Sequence, residues 1–127
     1  MLRAEGNLLS QGPVQRSQEA ALVRGMKAKS PTVNVEVQAM RIGNVGIASN
    51  PAELFCQFGL DIKRGSPWKL TMVVELANGC CGYVATNEAF LGGGYEVRTA
   101  RCSYLSADAG YRIADTSVHL LCQLAGK

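Results

Sequence analysis

At 127 residues, with 47% hydrophobic and 18% charged, the chain is one domain's length of polypeptide with apolar surface enough for a single core, which excludes disorder throughout. The formal net charge of +3 comes from thirteen basic residues spread along the chain with few aromatics among them, which argues against a nucleic-acid-binding surface. No apolar run approaches the roughly eighteen residues that cross a bilayer, and the N-terminus lacks the apolar stretch of a secretory signal, so the chain as written is expected to be cytoplasmic, without a transmembrane segment.

Residues 1–16 carry no sustained periodicity and read as an irregular arm; residues 17–127 read as the folded part. From Ser17 a narrow apolar stripe (Ala20, Ala21, Leu22, Val23, Met26) predicts a short helix that stops before Ser30-Pro31. Val33, Val35, Val37 and Ala39 then alternate with Asn34, Glu36, Gln38 and Met40, the period of two that half-buries a strand. Gly43-Asn44 interrupts the pattern before residues 45–48 resume it. Glycine at the first central position suits a two-residue type II′ turn, so 32–42 and 45–48 are expected to form a hairpin.

Asn50-Pro51-Ala52-Glu53 has the grammar of a helix start: an N-cap side chain, proline at the first helical position and glutamate at the third. Leu54, Phe55, Phe58 and Ile62 follow at helical spacing, and Lys63-Arg64-Gly65 ends the pattern, so a helix is predicted over 51–64. Residues 68–77 read as a strand with Leu70, Met72, Val74 and Leu76 on one face and Val73 on the other. Strand, helix, strand implies a βαβ unit whose carboxyl-end loops, around Asn50 and Asn78, share one edge of the sheet. A strand is weakly indicated over 95–104, and a helix over 107–124 with Tyr111, Ala114, Val118, Leu121 and Leu124 on its apolar side. The expected class is α/β: a mixed sheet flanked by helices.

Residues 78–98 hold five of the fourteen glycines and two of the four tyrosines. Three consecutive glycines at Gly92, Gly93 and Gly94 indicate a need for positive φ or close backbone approach. Tyr83 and Tyr95 share this segment with Thr86, Glu88 and Glu96, so their hydroxyls can converge; phenols can ligate a metal, donate to an oxyanion or simply anchor a loop edge. Glu53 can be a capping glutamate with no further role. His119 is the chain's one histidine, four residues after Asp115 on the polar side of the last predicted helix, where an exposed pair explains it. Five cysteines, Cys56, Cys80, Cys81, Cys102 and Cys122, match no zinc-ribbon or redox spacing and read as reduced, mostly small core hydrophobes.

The succession Arg41-Ile-Gly-Asn-Val45, Asn50-Pro-Ala-Glu53-Leu-Phe55, Gly59-Leu-Asp-Ile-Lys63, Ala77-Asn-Gly79, Gly82-Tyr83-Val-Ala-Thr86-Asn-Glu88-Ala and Gly93-Gly-Tyr95-Glu96 resembles the neutral/alkaline ceramidase-type amidase domain, in its shorter bacterial form. The resemblance spans about 33–124. It implies the C-terminal part of a larger α/β hydrolytic domain that binds zinc and hydrolyses the amide of an N-acylated lipid. By motif it assigns Glu53 and Tyr83 as metal ligands and Tyr95 as the tyrosine that helps bind the substrate amide. The family's histidine ligands have no counterpart here, because His119 matches neither; the chain alone is therefore expected to be inactive. Cys80-Cys81 also departs from the family's pattern, which often has an aromatic or small residue there. The competing expectation is a non-enzymatic α/β module that binds a partner or self-associates, and exposed apolar surface from a missing N-terminal half makes a homo-oligomer plausible under either reading.

Overall fold

The computed structural model describes residues 32–98 and 103–126; the expected arm and first helix lie outside them. Strands β1 (Gln38–Ile42) and β2 (Val45–Ser49) pair antiparallel with Ile42 opposite Val45, leaving a two-residue loop. Gly43 takes φ +58° while Asn44 is not left-handed, the φ signs of the predicted II′ turn. The hairpin is therefore as expected, except that pairing begins only at Gln38; Val35 and Val37, upstream, pack on the core from an irregular segment.

β2 continues through a bend into a short strand, β3 (Glu53–Leu54), then helix α1 (Cys56–Gly65) and strand β4 (Leu70–Val74). β4 returns parallel beside β2, so the sheet runs β1-β2-β4 with one antiparallel and one parallel pair. A strand β5 (Tyr83–Val84) lies parallel to β3, helix α2 (Asn87–Gly92) follows, and helix α3 (Ala109–Leu124) ends the fold. The class is the expected one, α/β with a mixed sheet and helices packed on it. Among the described residues, no helix is long and apolar enough to cross a membrane.

Two of the predicted elements differ. The helix expected from Pro51 begins at Cys56, capped by no side chain. Local capping grammar loses to backbone pairing. Asn50 Oδ1 accepts from Ala52 N–H (3.0 Å) in a tight turn, the Pro51 carbonyl accepts from Cys81 N–H (2.9 Å), and Glu53 N–H donates to the Gly82 carbonyl (3.0 Å). Glu53 is thus a strand residue, not a capping glutamate. The strand indicated over 95–104 is, over its described part, a turn at 95–98 closed by Arg98 N–H on the Tyr95 carbonyl (3.2 Å), with Ser103 in an isolated bridge.

The core lies between one face of the sheet and the two longer helices. Phe58 and Ile62 of α1 and Leu121 of α3 are fully buried with Ala48 of β2. Gly46 is required by close approach: a Cβ there would stand 2.5 Å from the Trp68 ring and 3.0 Å from Leu121. Trp68 fills that space and its Nε1–H donates to the Leu121 carbonyl (3.1 Å), tying the sheet to α3. On α3 the buried side is Gly110, Ile113, Ala114, Ser117 and Leu121, while Tyr111 and Leu124, expected on the stripe, are exposed. Tyr111 instead meets Phe58 edge-on at 5.0 Å.

Candidate functional site

The bend after β2 and the loop after β4 are laced together at the carboxyl ends of the two parallel strands. Asn50 N–H donates to the Val74 carbonyl (3.0 Å), Ala77 N–H to the Asn50 carbonyl (3.0 Å) and Leu76 N–H to the Ala52 carbonyl (3.2 Å). Leu76 and Asn78 hold φ of +53° and +59°; for leucine this is a strained conformation that the lacing imposes. β3 emerges from this knot, and its parallel register makes Glu53 the Cα partner of Tyr83 and Leu54 that of Val84. Partners in register point to the same side, so Leu54 and Val84 enter the core while Glu53 and Tyr83 stand together, half-buried, on the other.

The Glu53 carboxylate accepts a hydrogen bond from the Tyr83 phenol. That bond, then the carboxylate's charge, partial desolvation and the nearby Tyr95 and Glu96, hold the phenol above its ordinary value of 10.0. Tyr95 reaches the same place from the far end of α2. Thr86 Oγ1 caps that helix by accepting from Ala89 N–H (3.3 Å), and Gly93, at φ +73°, closes it through its N–H on the Ala89 carbonyl (3.0 Å). A Cβ at Gly92 or Gly93 would meet nothing, so at Gly93 the glycine serves conformation and not close approach. The return places the Tyr95 ring 5.9 Å from that of Tyr83, edge to face at 79°. The Arg98 guanidinium lies 6.0 Å from the Tyr95 ring centre.

The three residues singled out by motif, Glu53, Tyr83 and Tyr95, are therefore brought together. Thr86 and Glu88 have helical jobs, one as the cap and one as an acid in the first turn. His119 and Asp115 are both exposed on α3. Among the four described cysteines, all free, only Cys81 is a core residue, its thiol pushed up by burial and by the neighbouring Cys80. Cys56 and Cys80 are exposed, which corrects their reading as core hydrophobes. One supporting residue was not singled out: Glu75, whose Oε2 accepts from Leu54 N–H (3.0 Å) and so pins the strand that presents Glu53. Its sequence signal was a carboxylate inside the apolar run Val73-Val74-Glu75-Leu76.

A catalytic zinc takes three protein donors and keeps a fourth position open. This edge supplies a carboxylate and a phenol. Asn50 adds none: its Oδ1 is engaged by Ala52, and its buried Nδ2 is a donor that has no partner among the described residues. Among the described residues, no three or more His, Cys, Asp or Glu side chains are grouped to hold a metal ion. A carboxylate and a phenol are fewer protein donors than a catalytic zinc takes. Comparison of the chain with models of known families, with functionally described proteins and with solved structures finds no match.

Proposed function

We propose that this chain is the C-terminal part of a zinc-dependent amidase domain of the ceramidase type, acting on an N-acyl lipid or related amide. In this reading Glu53 and Tyr83 are metal ligands, Tyr95 is the phenol that meets the substrate amide, and histidine ligands come from outside the chain. The observation that carries it is the β3–β5 register: it sets Glu53 opposite Tyr83, with Tyr95 5.9 Å further on, although the three are far apart in sequence. Zinc held there would supply Lewis acidity for amide hydrolysis. The chain's own contribution is positioning. Glu53 holds the Tyr83 hydroxyl toward itself, and Tyr95, 68% exposed, keeps its hydroxyl available to a substrate carbonyl.

Since the chain contains a single histidine, it is expected to bind zinc weakly and to turn over no amide by itself. Calorimetric zinc titration of the chain, with an assay on an N-acyl substrate, tests this. Tight stoichiometric binding accompanied by turnover would sink the proposal. A second reading, a non-enzymatic module that uses 78–98 for recognition, draws on the exposure of Leu91 (90%) and Tyr95 at the tip of that segment. Substituting Leu91 and Tyr95 together would then abolish partner binding without any dependence on Glu53.

A further inference from the structure

Between β4 and β5 the chain makes an exposed bend at Asn78 and Gly79. Of the six asparagines, Asn78 is the one followed by glycine, and Asn50 precedes a proline, which has no N–H to react. Asn78 stands in the left-handed region at φ +59° and Gly79 at φ +159°. Neither the Asn78 carbonyl nor the Gly79 N–H has a hydrogen-bond partner among the described residues, so the peptide plane they share can turn without breaking a bond. Only the side-chain amide is held: its Nδ2 donates to Gln38 Oε1 on β1 (3.1 Å), an exposed contact. On either side the backbone is fixed. Ala77 N–H donates to the Asn50 carbonyl (3.0 Å) and Cys81 N–H to that of Pro51 (2.9 Å).

We propose that Asn78-Gly79 is a self-modifying site, at which Asn78 converts to isoaspartate in the folded protein and thereby frees Tyr83 from Glu53. The Gly79 nitrogen attacks Asn78 Cγ. The new C–N bond closes a succinimide ring, the Cγ–Nδ2 bond breaks, and Nδ2 leaves as ammonia with the proton given up by Gly79. Water then opens the ring, at the Cγ carbonyl to give aspartate or at the main-chain carbonyl to give isoaspartate. Nothing is oxidised or reduced. Glycine makes the attack feasible, because without a Cβ its nitrogen is unshielded and free to rotate. Isoaspartate routes the chain through Cβ and Cγ, which lengthens the backbone by one atom. That atom falls between the anchors at Ala77 and Cys81, just before Gly82, whose carbonyl accepts from Glu53 N–H (3.0 Å). The slack is delivered to the register that sets Tyr83 opposite Glu53.

The test ages the full 127-residue chain in mildly alkaline buffer well below its melting temperature, beside a urea-unfolded sample. Peptide mass spectrometry follows each asparagine, and isoaspartate is scored by enzymatic methylation of its free α-carboxylate. Asn78 is expected to be the first asparagine to show the one-dalton gain of deamidation. Gln38→Ala, which removes the brace on its amide, should speed the conversion about twofold or more, and Gly79→Ala should slow it about fivefold or more. The isoaspartyl form, separated by ion exchange, should titrate Tyr83 at lower pH than the unaged chain. Asn78→Asp, which carries the charge without the longer backbone, should not lower it. An Asn78 that stays intact in the native chain while the unfolded sample deamidates, or that reacts no faster than another asparagine, overturns the modification site. An isoaspartyl form whose Tyr83 titrates as in the unaged chain, or an equal lowering by Asn78→Asp, overturns the release of Tyr83.

Discussion

The Tyr83 phenol and the Glu53 carboxylate define the site at the scale of single residues. The phenol's pKa is raised chiefly because Glu53 accepts a hydrogen bond from the protonated phenol and would repel the phenolate. A group whose folded pKa exceeds its unfolded one contributes stability that is complete below the unfolded value and lost as pH climbs through the folded one. Here that window opens above pH 10.0. Glu53→Gln should move the Tyr83 titration down and flatten the alkaline loss of stability, read by absorbance near 295 nm and by melting against pH. An unchanged titration would mean that the two side chains do not meet in solution. Thiol chemistry separates the neighbours in the same loop: Cys80 and Cys56 should be alkylated in the native protein while Cys81, buried and held protonated, is protected until unfolding. Peptide mass spectrometry after brief iodoacetamide treatment checks it; equal labelling of Cys80 and Cys81 would contradict the burial.

Among the elements, α2 and its glycine return decide whether Tyr95 comes back to Tyr83. Gly92 sits at the helix end with φ in the ordinary range and open space beside it, so Gly92→Ala should be neutral or stabilising by about 0.5 kcal/mol. Gly93 has the same open space but a left-handed φ, so Gly93→Ala should cost about 1 kcal/mol and loosen the Tyr83–Tyr95 contact. Denaturant unfolding of the two variants gives the comparison, and equal effects would refute the conformational account. The hairpin was legible because strand period and turn chemistry agree at Gly43-Asn44. The start of α1 was not: every local cue from Asn50 to Glu53 says helix, but Pro51, Ala52 and Glu53 have backbone partners twenty or more residues away, which no local cue reveals. The motifs singled out Glu53, Tyr83 and Tyr95 one by one. That a two-residue parallel ladder aligns the first two was information held only in the fold.

As a whole molecule the chain is a sheet with helices against one face and a row of large apolar side chains on the other. Alternation along β4 showed that its two sides differ. It did not show which side the helices take, because they pack on the small residues Gly46 and Ala48 of β2 and on Val73, leaving Leu70, Met72 and Val74 outside. Among the described residues that outer row has no cover. The most direct test is the zinc affinity of the chain assembled with a histidine-bearing N-terminal half, by equilibrium dialysis, with Glu53→Gln and Tyr83→Phe beside the native sequence. One zinc per complex is predicted, with affinity falling by about 100-fold or more in Glu53→Gln and clearly in Tyr83→Phe, since loss even of an outer-shell partner costs about 10–100-fold. Zinc held equally well by the native complex and by both variants would contradict the assignment of this edge as a metal site.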